Sequence, residues 1–143
     1  MLEADPDNGF LHHMLYESYA GKGMYKEAVQ QLARTWVLYG LQEAAAKLQQ
    51  AFAASGYKGA MRKFAEEMAR LHAAKKIFIP INLATYYAAA GDKDRAFYWL
   101  EQAYKYRHAF GMTMLDLKTV PELEPLRSDA RYKDLVSRVG LPP

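Results

Sequence analysis

The sequence predicts an all-α protein, a superhelix of stacked helical hairpins. Three observations carry that prediction. Ala, Leu, Lys, Glu, Gln and Met dominate long stretches of the 143 residues, and β-branched residues are few and scattered. Apolar residues recur at helical spacing in one stretch after another. Short glycine-marked breaks separate these stretches, and loops that short make neighbouring helices antiparallel.

Taken in order, residues 1–8 (MLEADPDN) read as the end of a preceding helical unit or a linker, with Pro6 as the stop. Phe10 to Gly21 forms the first helix, with Leu11, Met14, Leu15 and Tyr19 on its apolar stripe. After the Gly21–Gly23 turn, a second helix aligns Tyr25, Ala28, Val29, Leu32, Trp36 and Tyr39, and Gly40 closes it. The third carries Leu41, Ala44, Ala45, Leu48, Ala51, Phe52 and Ser55. Ser55–Gly59 is the expected break, followed by a fourth helix striped by Met61, Phe64, Ala65, Met68, Leu71 and His72. The fifth starts near Phe78, with Pro80 tolerated in its first turn. Asp92 is the expected N-cap of the sixth, which carries Ala96, Phe97, Leu100, Ala103 and Tyr104.

The totals exclude several classes. With no cysteine there is no disulfide, thiolate metal site or cysteine nucleophile. No apolar run reaches the roughly 18–20 residues that cross a bilayer. The acidic N-terminus is wrong for a secretory signal, so a cytoplasmic location without membrane contact is expected. Net charge is +3, and its excess lies in residues 57–76, on Lys58, Arg62, Lys63, Arg70, Lys75 and Lys76. A phosphate-tracking surface would interleave such cations with exposed aromatics. The sequence by itself shows a solvated helix face instead, so nucleic acid is disfavoured as a partner.

The first and last hairpins match each other. Leu15 answers to Leu83, Tyr19 to Tyr87, Gly23 to Gly91, Ala28 to Ala96 and Leu32 to Leu100, each pair 68 positions apart. That is two periods of about 34 residues, and on these residues the chain resembles the tetratricopeptide repeat family. The resemblance implies a right-handed solenoid of three hairpins, 9–42, 43–76 (degenerate) and 77–110, followed by a capping segment over 111–143. It departs from the family where an early tryptophan is replaced by His12 and Pro80, and where Tyr16 stands at a small-residue position.

The run from Asp116 to Leu135, followed by Val139-Gly140-Leu141-Pro142, resembles the end of large bacterial proteins with C-terminal tetratricopeptide arrays. Those proteins begin with a serine/threonine kinase, a nucleotide cyclase or a winged-helix domain. The resemblance implies that this chain is the C-terminal interaction or regulatory module of such a protein. From the residues themselves, the tail reads as a cap. Residues 111–118 would form a short helix. Ser128 would N-cap a helix running through Val139, with Leu135, Val136 and Val139 covering the apolar end.

No constellation points to catalysis, a cofactor or a metal. His12 and His13 are adjacent, so they point about 100° apart on a helix and do not share a metal readily. His72 and His108 have no partner in sequence. Gly21–Gly23 is too short for a phosphate loop. The expected function is therefore binding. By resemblance, the first helix of each hairpin lines a concave face. That assigns Phe10, His13, Met14 and Glu17 to the groove in the first repeat, and Phe78, Ile81, Asn82 and Thr85 in the third. The expected occupant is another protein or an extended peptide. Self-association through the solenoid's open N-terminal end is the alternative, ahead of nucleic-acid binding through Lys58, Arg62, Lys63 and Arg70.

Overall fold

A computed structural model describes residues 5–106 and 120–140. Every regular element among them is helical. The chain divides into two compact units, Met1–Glu67 and Met68–Pro143.

In the first unit, α1 (Gly9–Gly21) packs against α2 (Tyr25–Leu38). Asn8 starts α1 by accepting from the Leu11 N–H at 3.1 Å, which satisfies one of the orphan donors of the first turn. Gly40, at φ 87°, closes the end of α2, and the Leu41 N–H returns to the Trp36 carbonyl at 2.7 Å. Ala28, Val29, Leu32 and Trp36 are buried, as the stripe on α2 predicts, whereas Tyr25 and Tyr39 at its ends are 44% and 56% exposed. The face of α1 differs from its prediction. Its buried residues are Gly9, His12 and Tyr16, whereas Leu11, Leu15 and Tyr19 are half-buried and Met14 is exposed. The helix is rotated so that His12 reaches α2. His12 Nε2 donates to the Pro6 carbonyl at 2.9 Å, and Nδ1 meets the Gln31 amide at 2.6 Å. A buried imidazole needs partners on both sides, and no partner is visible along the sequence.

The middle of the chain is one helical run, α3 (Gln42–Ala73), interrupted at a single residue. The five-residue break expected at Ser55–Gly59 shrinks to Gly56, at φ 74° and ψ −168°. That backbone region is essentially restricted to glycine. Gly59 stays helical because its missing Cβ leaves room for Ser55, whose own Cβ would sit 2.6 Å away. Just past the kink, Tyr57 stacks on Tyr25, rings 4.1 Å apart and 11° from parallel.

In the second unit, α4 (Pro80–Ala89) packs against α5 (Lys93–Lys105). The helix starts at Pro80, two residues after Phe78, because Ile79 takes φ −140° and ψ 51° outside it. The residue before a proline is pushed out of the helical region in this way. Asp92 caps α5 as expected, accepting from the Arg95 N–H at 3.1 Å.

Three hydrogen bonds of the two hairpin turns coincide 68 positions apart, although the Lys22 N–H binds Tyr19 where the Ala90 N–H binds Tyr86. The Gly23 N–H binds the Ala20 carbonyl, Met24 binds Tyr19, and Ala28 binds Met24. Gly91 binds Ala88, Asp92 binds Tyr87, and Ala96 binds Asp92, all 68 positions later. Gly23 and Gly91 take φ 73° and 79°, the left-handed conformation such a turn requires. Ala28, Leu32, Ala96 and Leu100 are all fully buried.

The tail forms a 3-10 helix, Pro121–Leu126, against α4, and α6 (Ala130–Val139) against α5. Leu123 and Leu126 are fully buried. Three-residue spacing places them on one face of a 3-10 helix. The N-cap of α6 is Asp129, not Ser128. Asp129 is the residue with extended backbone, φ −75° and ψ 139°, and its carboxylate accepts from the Arg131 N–H at 2.9 Å. The Arg131 side chain, hydrogen-bonded to it, lowers the Asp129 pKa. Leu135 and Val136 are buried and Val139 half-buried, with Gly140 closing α6 at φ 84°. The short helix expected over 111–118 lies outside the described residues, as do Pro142 and Pro143.

A matched pair of arginines holds α6 on α5. Arg131 binds Asp94 at 2.8 Å and lies over the Phe97 ring at 4.3 Å. Seven residues later on both helices, Arg138 binds Glu101 at 3.0 Å and lies over Tyr104 at 5.1 Å. The partners are exposed, so salt screens them. Reversing Arg138 to Glu is expected to speed amide exchange throughout α6. The compensating pair Glu101→Arg/Arg138→Glu should restore protection, measured by hydrogen–deuterium exchange. Equal exchange in all three proteins would show that packing of Leu135 and Val136 holds α6 without the clasp.

Candidate functional site

The residues expected to line a groove divide into exposed and buried sets. On α1, Phe10 and Met14 are 64% and 47% exposed, one helical turn apart. His13 and Glu17 lie beside them, with His13 Nδ1 3.6 Å from a Glu17 oxygen. Burial pushes the His13 pKa down to about 4, so the imidazole is neutral at pH 7. It therefore meets Glu17 as a dipole, not as an ion pair. Its ring also meets the edge of buried Tyr16, centroids 5.5 Å apart.

On α4, Ile81 and Thr85 are buried. The Thr85 hydroxyl donates to the Asn82 carbonyl at 2.7 Å, so its polar atom turns back onto its own helix. Asn82 is half-buried and Phe78 is 41% exposed. The structure thus leaves Phe78, just before α4, and Asn82 on it at the surface, with Ile81 and Thr85 beneath. Phe78, Ile81, Asn82 and Tyr106 border a small cavity of about 60 Å³.

Around Phe78 lies a feature the sequence did not reveal, a continuous ladder of rings. Phe78 meets Tyr106 edge to face at 5.4 Å and meets His72 at 5.2 Å. His72 meets Trp99 at 4.9 Å, and Trp99 meets Tyr98 at 5.2 Å. Tyr98 and Tyr106 are 56% and 42% exposed. Desolvation lowers the His72 pKa, so His72 joins the ladder as a neutral ring. These residues come from the end of α3, the loop before α4, and α5. The Trp99 signal was available in sequence, since Trp99 stands off the Ala96–Leu100–Ala103 stripe, but nothing there placed His72 opposite it.

A larger cleft of about 460 Å³ runs between α5 and α6, with Phe97, Tyr98, Glu101 and Arg131 among its walls. Its acidic residues Asp94, Glu101 and Asp134 are all bound to Arg131 or Arg138. Among the described residues no group of three or more His, Cys, Asp or Glu side chains is placed to hold a metal ion. No helix among them is long and apolar enough to cross a membrane.

Comparison with protein families, curated proteins and solved structures finds no match.

Proposed function

We propose that this chain is a tetratricopeptide-type scaffold that binds another protein or an extended peptide without transforming it. The observation carrying the proposal is the recurrence of three turn hydrogen bonds at Gly23 and Gly91, 68 positions apart. Such periodic hairpins stack into solenoids whose concave faces hold partners. Support also comes from the surface residues. Phe10 and Met14 give α1 an exposed apolar edge. Asn82 offers an amide able to bond both ways to an extended backbone. The resemblance of the tail extends the proposal to a cytoplasmic, C-terminal module of a bacterial signalling or regulatory protein.

The test begins with a partner captured on immobilised protein, identified, and purified. Met14→Ala and Asn82→Ala are each expected to weaken its binding about tenfold, the range of an interface hot spot, with far-UV circular dichroism unchanged. Calorimetric affinities indifferent to both substitutions would reject the groove. The exposed Phe10–Met14 edge also favours a second reading, self-association. Light scattering that gives a monomer mass at every concentration would remove it.

A further inference from the structure

The aromatic ladder has a charged border. No Asp or Glu occurs between Glu67 and Asp92, whereas Arg70, Lys75 and Lys76 do. Lys75 and Lys76 are held at the ladder by the turn that ends α3. The Lys75 N–H binds the His72 carbonyl at 3.0 Å, and the Lys76 N–H binds the Leu71 carbonyl at 2.9 Å. Lys75 takes a left-handed φ of 59°. Lys75 and Lys76, both exposed, therefore lie in the turn that joins His72 to Phe78. The fold adds Trp99, Tyr98 and Tyr106 to a segment in which Lys75 and Lys76 already stand between His72 and Phe78.

We propose that the Tyr98–Trp99–His72–Phe78–Tyr106 ladder, with Lys75 and Lys76 on its border, is a stacking platform for single-stranded nucleic acid. This goes beyond the protein-binding reading and uses residues outside the Met14 and Asn82 test. Each part has a role. The exposed rings of Tyr98, Phe78 and Tyr106 offer apolar surface to unpaired bases, and every base has a face that stacks without regard to sequence. Lys75 and Lys76 match the phosphates between those bases. His72 joins the two halves of the ladder, meeting Trp99 on one side and Phe78 on the other. Duplex DNA buries its base faces, so the platform discriminates against it.

The experiment titrates a fluorescein-labelled oligothymidylate of about ten nucleotides with the intact chain and follows anisotropy and tryptophan emission. Saturable binding with quenching of Trp99 is expected. Raising salt from about 50 to about 200 mM should weaken binding about sevenfold, as two phosphate contacts on a single strand predict. The double variant Lys75→Asn/Lys76→Gln should abolish that salt effect. Asparagine is chosen at 75 because it tolerates the left-handed backbone. Tyr98→Ala should weaken binding about tenfold at fixed salt, and Trp99→Phe should abolish the quenching while binding persists.

Circular dichroism of each variant confirms the fold before its affinity is compared. No anisotropy change at low salt overturns the proposal. Binding that ignores Tyr98→Ala also overturns it, because the surface then reads charge alone. Displacement by an equal concentration of oligoglutamate, or equal affinity for duplex DNA, does the same.

Discussion

Leu100→Ala is expected to destabilise the second unit by about 3–4 kcal/mol, the cost of a fully buried leucine cavity. Leu100 is 0% exposed on α5, and Leu32 is 0% exposed at the matching place on α2. Removing either side chain deletes apolar burial and leaves a void that the alanine-lined crossing cannot collapse to fill. The melting midpoint should fall by roughly 10 °C for a chain of this size. Leu32→Ala should cost the first unit a similar amount. Urea unfolding measured for each variant checks both figures. A loss below about 1 kcal/mol would mean the leucine is not enclosed as described.

Ala96→Leu is expected to cost about 3 kcal/mol, for the opposite reason. Ala96 is wholly buried in the first turn of α5, directly after the Gly91 turn, where α4 and α5 come together. Extra methylenes there force either off-rotamer side chains or a shifted backbone. Ala96→Gly should cost only about 1 kcal/mol, since it removes helix propensity and little else. The contrast separates close packing from simple helix preference. If leucine and glycine are tolerated alike, as read by denaturant midpoints, the close crossing is wrong. Ala28 allows the same comparison in the first unit.

Features set by neighbouring residues were legible in the sequence. Asp92 was read as an N-cap, Gly21–Gly23 as a turn and Gly40 as a stop, because caps and left-handed turns depend on a few adjacent positions. The choice of Ser128 over Asp129 shows the limit of that legibility. Both residue types cap helices, and only the backbone angle of Asp129 selects it. The middle of the α2 stripe was read correctly, but its ends, Tyr25 and Tyr39, are exposed, and the stripe of α1 was misread. On α1 several apolar positions compete, and the bonds from His12 to Gln31 and Pro6 fix the rotation. Ser55–Gly59 looked like a loop because it holds two glycines. One serves a kink and the other a close contact within the helix.

For the candidate site, the sequence brought Phe78 and Asn82 to a surface and misjudged Ile81 and Thr85 as equally available. Periodicity marks which residues share a helix face, but it does not say how deep that face lies. His72 and Trp99 are 27 positions apart, and no local rule joins them.

By itself, then, the sequence determined helices, their turns and a hairpin that recurs after 68 positions, since these follow from backbone preference and spacing. Only the tertiary structure decided which side of α1 is buried, and that Arg131 and Arg138 meet Asp94 and Glu101 in register. It alone set the rings of Tyr98, Trp99, His72, Phe78 and Tyr106 in one row beside Lys75 and Lys76. Those outcomes depend on contacts between elements far apart in the chain, where the helix rotation that satisfies one buried group also chooses what the opposite face presents to solvent.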